Sequence, residues 1–425
     1  MDNLTRLNFD VAVIGGGPAG IAAATVAAES GAATVLLDDS PAMGGQIWRS
    51  DLLAQHDVGR AQWMNRLRNS QVKRIPGAQV FHLDAKTIAA ETGDAVFQVE
   101  YRRLILATGA REFFLPFPGW TLPNVVGAGG LQALIKSGFP ITGKRVVIAG
   151  TGPLLMTVAD FVRARGGNVL CVCEQTSWRK LALFALQLSV VPGKIQEASR
   201  LRRGIRRIPL WTNSWPLAAI GKDRVDTVKL SRGGRVFEVE CDYLACGFHL
   251  VPNAELAAFM GCQLRDGFVE VDEYQRTTIR NVFCAGEPTG IGGVELALAE
   301  GQIAGYSASG QEGSSRQLFR QRAVHRRVVK PLRRAFQLRA ELKALAQPET
   351  FVCRCEDVPL KSLREHNSWR AAKLHTRCGM GPCQGRVCGT AADFLFGWNM
   401  DSTRPPLFPV RCSSLAAISE DAALP

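Results

Sequence analysis

Long apolar runs are missing from this chain. None approaches the roughly 18 residues that a membrane span needs, and Leu181–Val191 is too short. The opening MDNLTRLNFD has neither the basic n-region nor the apolar h-region of a secretory leader. It runs directly into a strand pattern, so a cytoplasmic protein is expected. The twelve cysteines lack the spacing of a disulfide framework, which points to reduced thiols or metal ligands. Acid–base machinery is missing too: no Ser/His or His/Asp constellation stands out, and a lone His249 after a strand pattern is more often structural than catalytic. Negative charge is scarce. The net charge of +13 gathers in Arg200–Arg207 (RLRRGIRR) and in Arg316–Lys343, where ten Lys or Arg face a single Glu. No nucleic-acid motif or interleaved aromatic pattern accompanies these runs. A solvated helix face, or a surface that docks an acidic protein partner, is the expectation in place of nucleic acid.

What is present begins ten residues in. Val11–Gly20, VAVIGGGPAG, places Gly15, Gly17 and Gly20 as G-x-G-x-x-G, with Pro18 and Ala19 between, after an apolar strand and before the Ala-rich run Ile21–Ala28. Such glycines let the backbone turn sharply and approach a pyrophosphate, whose charge sits on the N–H groups and dipole of the helix start. A second strand, Ala33–Leu37, ends at Asp38 and Asp39, where a carboxylate binds ribose hydroxyls. Strand, glycines, helix, strand and acid in register predict a bound dinucleotide.

A second fingerprint follows at Arg145–Leu155, RVVIAGTGPLL, with Gly150 and Gly152 but Leu155 at the third glycine position. Glu174 ends the next strand. Its carboxylate would repel a 2′-phosphate, so NAD is favoured over NADP if this fold is occupied. A retained fold without its ligand is the equal alternative.

Met43–Arg49, MGGQIWR, resembles a loop beside the flavin in flavoprotein reductases with two dinucleotide domains, which brings Gly45 and Gln46 to the cofactor. Those that reduce disulfides carry a cysteine pair, and none is found here; Cys171 and Cys173 read as buried and inert. Leu104–Arg111, LILATGAR, is similar to the strand closing the first half of their flavin domain, which implies Thr108 and Gly109 at the site. Asp242–Asn253 resembles the strand ending their inserted second domain. Arg280–Glu287, RNVFCAGE, resembles their strand that brings an acid onto the flavin ribityl chain, with Gly286 and Glu287 in those places. The resemblance implies FAD at the first fingerprint.

Gly313–Gln347 breaks this rhythm with a basic helical pattern interrupted by Pro331. Then come FVCRCE (Phe351–Glu356) and TRCGMGPCQGRVCG (Thr376–Gly389), five cysteines in one short region. Thiolates gathered there require a metal, either zinc or iron–sulfur. The Cys-x-Cys and Cys-x4-Cys spacings suit a zinc knuckle poorly, and the surrounding glycines would let backbone N–H groups reach cluster sulfurs. The segment resembles the bacterioferritin-associated ferredoxin-like [2Fe-2S] domain. On that match Cys353, Cys355, Cys383 and Cys388 are the ligands and Cys378 is spare.

Together with the tail Arg404–Arg411, these features resemble, along nearly the whole chain, the large cluster-bearing subunit of heteromeric flavin-dependent amino-acid dehydrogenases. That family includes the opine oxidases, hydrogen cyanide synthase and D-hydroxyproline dehydrogenase, with the α subunit of sarcosine oxidase more distant. The resemblance implies an α/β protein with two dinucleotide-binding-type domains, the second inserted in the first, plus a small α-helical [2Fe-2S] domain. The expected segments are 1–115 and 255–312 for the FAD domain, 116–254 for the insert, 313–348 for the connector, 349–400 for the cluster and 401–425 for the tail. It further implies a catalytic FAD-dependent β-type partner, a small ferredoxin-like subunit in some members, and FMN at a subunit interface as a further cofactor. The competing functions are a self-sufficient NADH-dependent flavin/iron–sulfur reductase and a non-catalytic adenine-nucleotide-binding assembly subunit.

Overall fold

The computed structural model describes residues 4–48, 58–189, 191, 193–400 and 405–419. Arg49 and Arg404, the ends of two motifs above, lie outside the described residues. The chain forms two compact units. One comprises residues up to 111, 252–329 and the tail; the other comprises 112–251 and 330–401.

The first unit is built on Leu4–Ile14, whose second half is largely buried. It pairs in parallel with Thr34–Asp38 on one side and Val96–Leu106 on the other. Lys73–Pro76 extends the sheet beyond Thr34–Asp38, and Val282–Cys284 pairs in parallel with the far end of Val96–Leu106. Thr87–Glu91 and Gln79–Leu83 add an antiparallel arm. Parallel strands covered on both faces read as continuous apolar runs, as VAVI and TVLLD do. The helix Pro18–Glu29 has no charged residue before Glu29 and is buried from Ala19 to Ala27, because it packs on the sheet and also against Val294–Ala308. Small residues allow that second contact: a Cβ at Gly301 would lie 2.2 Å from the Ala19 carbonyl oxygen, and one at Gly305 2.5 Å from that of Ala23. The tail joins the same unit's core through Leu407 and Phe408, and Arg411 binds Glu91 and the Thr92 and Gly93 carbonyls.

The second unit repeats the theme. Its parallel sheet runs Leu210–Thr212, Asn168–Glu174, Arg145–Gly150, Tyr243–Gly247, Val125–Gly127. An antiparallel sheet of Ser214–Ile220, Thr227–Arg232 and Arg235–Glu240 packs beside it. The helices Ala128–Lys136 and Pro153–Ala164 share one apolar core with the parallel sheet. A second core runs without a break from Val147 and Cys171 through Phe117 and Trp120 to Cys353, Trp369 and Cys388. The cysteine segment is therefore packed on the second dinucleotide fold, and the Trp120 indole N–H donates to the Phe351 carbonyl. Among the described residues no helix is long and apolar enough to cross a membrane.

Candidate functional site

The first fingerprint forms a cradle. Gly17 caps the helix Pro18–Glu29 in extended backbone with no side-chain cap, which leaves the helix start to an anion. A Cβ on Gly20 would lie 1.7 Å from the Gly15 carbonyl oxygen, so glycine there closes the turn. A Cβ on Gly17 would meet nothing nearer than Gly45 Cα at 4.0 Å. That open face is where a pyrophosphate would lie. The expected Gly45–Gln46 loop is the start of a short helix, Gly45–Trp48, that leans on the cradle: Gly44 N donates to the Gly16 carbonyl at 2.7 Å, and Gln46 is exposed.

Asp38 is buried at the end of its strand and accepts from the Gly16 and Ser40 N–H groups, whereas Asp39 is exposed. Burial raises the Asp38 carboxyl above its ordinary range, and the two backbone donors offset this only in part. Thr108 and Gly109 continue from the end of Val96–Leu106 and are pinned by Asn253, whose side-chain amide donates to the Thr108 carbonyl and whose N–H donates to that of Gly109. Asn253 in turn accepts from Arg111, which also pairs with Glu255 at 2.8 Å. Gly286 and Glu287 follow the strand Val282–Cys284. The Glu287 carboxylate has no hydrogen-bond partner among the described residues, and burial alone raises its pKa. An unpaired carboxylate in such a place suits the hydroxyls of a polyol chain, and with the open face of Gly17 it makes these residues fit a flavin dinucleotide.

The second fingerprint is satisfied from within. Glu174 is buried and accepts from the Gly152 and Thr176 N–H groups at 2.7 and 2.8 Å and from the Thr151 hydroxyl at 2.7 Å. A Cβ on Gly150 would strike the Gly247 carbonyl oxygen at 1.9 Å, and Leu155 is buried close by. The start of the helix Ala128–Lys136 is also taken, since Glu112 accepts from the Gly129 and Gly130 N–H groups at 2.7 and 3.0 Å. The connector then crosses the carboxyl ends of two strands. Gln175 donates to the Gln337 carbonyl and Thr176 to that of Ala335, both at 3.2 Å. The Arg339 N–H donates to Gln175 Oε1, and the Arg339 guanidinium to Asn213. In open α/β sheets this edge is where a nucleotide binds. Gln175, Asn213 and Arg339 carry no sequence motif, so nothing local announces the strap.

The cysteine segment brings the sulfurs of Cys353, Cys378 and Cys388 into one tight group, and of the four expected ligands Cys355 and Cys383 lie outside it. Cys353, Cys378 and Cys388 are buried, with sulfurs within 4.8 Å of one another. Cys383 adjoins Cys388 and Cys355, and Cys355 is exposed. Cys355, Cys383, Cys388 and Cys353 thus form a chain of neighbouring sulfurs, and Cys378 adjoins the two deepest. The Cys378 and Cys388 thiols, then the Gly379 and Glu356 N–H groups, hold the Cys353 thiol far below its ordinary value. The Cys388 thiol, then the Val387 and Gly385 N–H groups, bring Cys383 down to about 5. These contacts favour thiolate, the form that binds metal, at Cys353 and Cys383, while the hydrogen-bonding contact with Cys353 pushes the Cys378 and Cys388 thiols up. A Cβ on Gly381 would lie 2.3 Å from that of Cys355, so the glycine-rich turn comes against the first cysteine pair. Cys388 begins the helix Cys388–Phe396, whose N-terminus favours an anionic centre. This donor set fits an iron–sulfur cluster.

Comparison with known proteins agrees with this layout. The family described as pyridine nucleotide-disulphide oxidoreductase matches residues 9–301. An opine oxidase subunit of Rhizobium meliloti (strain 1021) is 30% identical, over 97% of this chain and 99% of that protein. The hydrogen cyanide synthase subunit HcnB of Pseudomonas aeruginosa is 30% identical, over 92% of this chain and 93% of its own length. Among solved structures, L-proline dehydrogenase from P. horikoshii shares the fold with a TM-score of 0.70 at 19% identity, covering 98% of this chain and 81% of that one. The chain therefore belongs to the family of these opine oxidase and HcnB subunits, FAD-dependent oxidoreductase components built on the pyridine nucleotide-disulphide oxidoreductase fold.

Proposed function

We propose that this chain is the electron-transfer subunit of a heteromeric flavin-dependent amino-acid or opine dehydrogenase. FAD occupies the first fingerprint, held by Gly15, Gly17, Pro18, Ala19 and Gly20, Gly45–Gln46, Thr108–Gly109, Gly286–Glu287 and, at the ribose end, Asp38 and Asp39. A [2Fe-2S] cluster is held by Cys353, Cys355, Cys383 and Cys388 in a small domain spanning 349–400. Flavin suits this role because it takes electrons as a pair and releases them singly. The chain's own part is to cradle the pyrophosphate with backbone N–H groups, hold the polyol chain with Glu287, and give the cluster a buried, N–H-rich pocket. Oxidation of the substrate C–N bond belongs to a catalytic FAD-dependent partner. A small ferredoxin-like protein, together with FMN at the interface between chains, completes the assembly. The carrying observation is the gathered cysteine sulfurs in a chain matched end to end by an opine oxidase component.

The self-sufficient NADH reductase is disfavoured by the strap across the second fold, which engages the residues next to Glu174. Iron and acid-labile sulfide analysis, with EPR of the reduced chain, tests the proposal. A reducible [2Fe-2S] signal together with FAD released on denaturation is expected. Stoichiometric zinc, or a colourless adenine nucleotide in place of flavin, would overturn it.

A further inference from the structure

One carboxylate inside the helix Val294–Ala308 is almost wholly buried. Glu300, 1% exposed, interrupts a run that is otherwise apolar or small from Leu296 to Gly301. Removing a carboxylate from water is costly unless it is well partnered. Its Oε2 accepts from the Gly286 N–H at 3.0 Å and lies 2.8 Å from the Thr289 hydroxyl oxygen. Its Oε1 has no hydrogen-bond partner among the described residues, and Arg326 Nη2 stands 4.0 Å from it. Both contacts of Oε2 fall on the turn Gly286–Thr289, which carries Glu287. On its other side that turn rests on the start of the helix Pro18–Glu29, where a Cβ at Gly286 would come within 2.8 Å of Ala19 Cβ. A second tie comes from the same basic helix, Glu312–Arg326. Arg322 is buried and donates to Gln275 Oε1 at 3.2 Å, and Gln275 donates to the Cys284 carbonyl two residues before Gly286.

We infer that Glu300 is a positioning residue for the flavin site, fixing the Gly286–Thr289 turn so that Glu287 faces the cofactor, with Arg326 as its counter-charge. Part of the basic run therefore faces inward, buttressing this turn. The inference rests on the reading of FAD at the first fingerprint.

Titrating apo-protein with FAD and following flavin fluorescence tests it. Glu300→Ala should weaken FAD binding roughly tenfold, since a buried N–H and hydroxyl lose their acceptor. Glu300→Gln keeps an oxygen acceptor and should stay within roughly threefold of wild type. In a Glu287→Ala background, adding Glu300→Ala should cost little more, because Glu300 acts through that turn. A merely structural residue would lower the apo-protein's Tm while leaving the FAD Kd alone, or would add its loss in full to that of Glu287→Ala; either result overturns the inference. Should Glu300→Ala fail to fold, Thr289→Val replaces it: a few-fold weakening that disappears in the Glu287→Ala background supports the inference, and an unchanged Kd overturns it. Wild-type protein that binds no FAD sinks the site reading and this inference together. Wild-type affinity retained in Glu300→Ala sinks this inference alone.

Discussion

Gly17 and Gly20 are three residues apart and answer to different demands. A side chain at Gly20 meets the protein's own backbone at 1.7 Å, whereas one at Gly17 meets open space. Gly20→Val should therefore destabilise the fold by more than about 4 kcal/mol, the range of severe overpacking and strain. Gly17→Val should leave apo-protein stability within about 1 kcal/mol and release the flavin, because the valine fills the pyrophosphate's place. Thermal melts of the apo-proteins and flavin absorbance after gel filtration check both halves. Full flavin occupancy in folded Gly17→Val would remove FAD from this site. The cysteines allow a similar separation. Serine at Cys353, Cys355, Cys383 or Cys388 should abolish the cluster, and serine at Cys378 should keep about two irons per chain. Cys378 is the discriminating position, because its buried sulfur adjoins Cys353 and Cys388. Iron loss in Cys378→Ser would transfer the ligand role to Cys378 without touching the case for a cluster.

At the scale of elements, the sequence is legible wherever the cause is local. The strand ending at Ile14, the uncapped helix start at Pro18 and the acid closing Thr34–Asp38 all follow from apolar runs, glycine spacing and one carboxylate within about thirty residues of chain. The second fingerprint is equally visible, but its occupancy is not, because the deciding contacts join Gln175 to Gln337 and Arg339 across more than 160 positions. The basic run Arg316–Lys343 reads as a solvated or docking face. Net charge alone does not reveal that Arg322 and Arg339 bind backbone and side-chain oxygens within their own units. Glu300 has no motif around it, although a lone acid in an apolar stretch is itself a signal of a buried partner. From the strap comes a prediction: NADH added anaerobically to the FAD-loaded chain should not bleach the flavin. Arg339→Ala, which loosens the strap at Asn213 and Gln175, should be the variant in which any nicotinamide affinity first emerges. Rapid bleaching of wild type at micromolar NADH would restore the self-sufficient reductase.

For the whole molecule, the arrangement concerns what each unit holds and what neither provides. One unit carries the first glycine cradle, and the other carries a dinucleotide-type fold crossed by the connector, with the cysteine segment on its core. Among the described residues neither presents an acid–base constellation suited to deprotonating an amine. His249, the histidine that follows a strand pattern, is half-buried and held in a positive-φ backbone conformation, with its Nδ1 accepting from the Leu250 N–H. Burial lowers its pKa, so it stays neutral and internally bonded at physiological pH. The homogeneous chain should therefore fail to oxidise opines, proline derivatives or glycine in a dye-reduction assay, even when fully loaded with FAD and iron. Co-expressed with the catalytic flavoprotein partner proposed for it, the chain should co-purify and the assay should turn over. Replacing Cys353 with serine in that complex should then leave the partner's flavin reducible by substrate in a single turnover while abolishing steady-state dye reduction. That outcome places this chain after the chemical step. Turnover by the single chain, or unimpaired steady-state rates in the Cys353→Ser complex, would place substrate oxidation or the electron exit elsewhere and refute the division of labour.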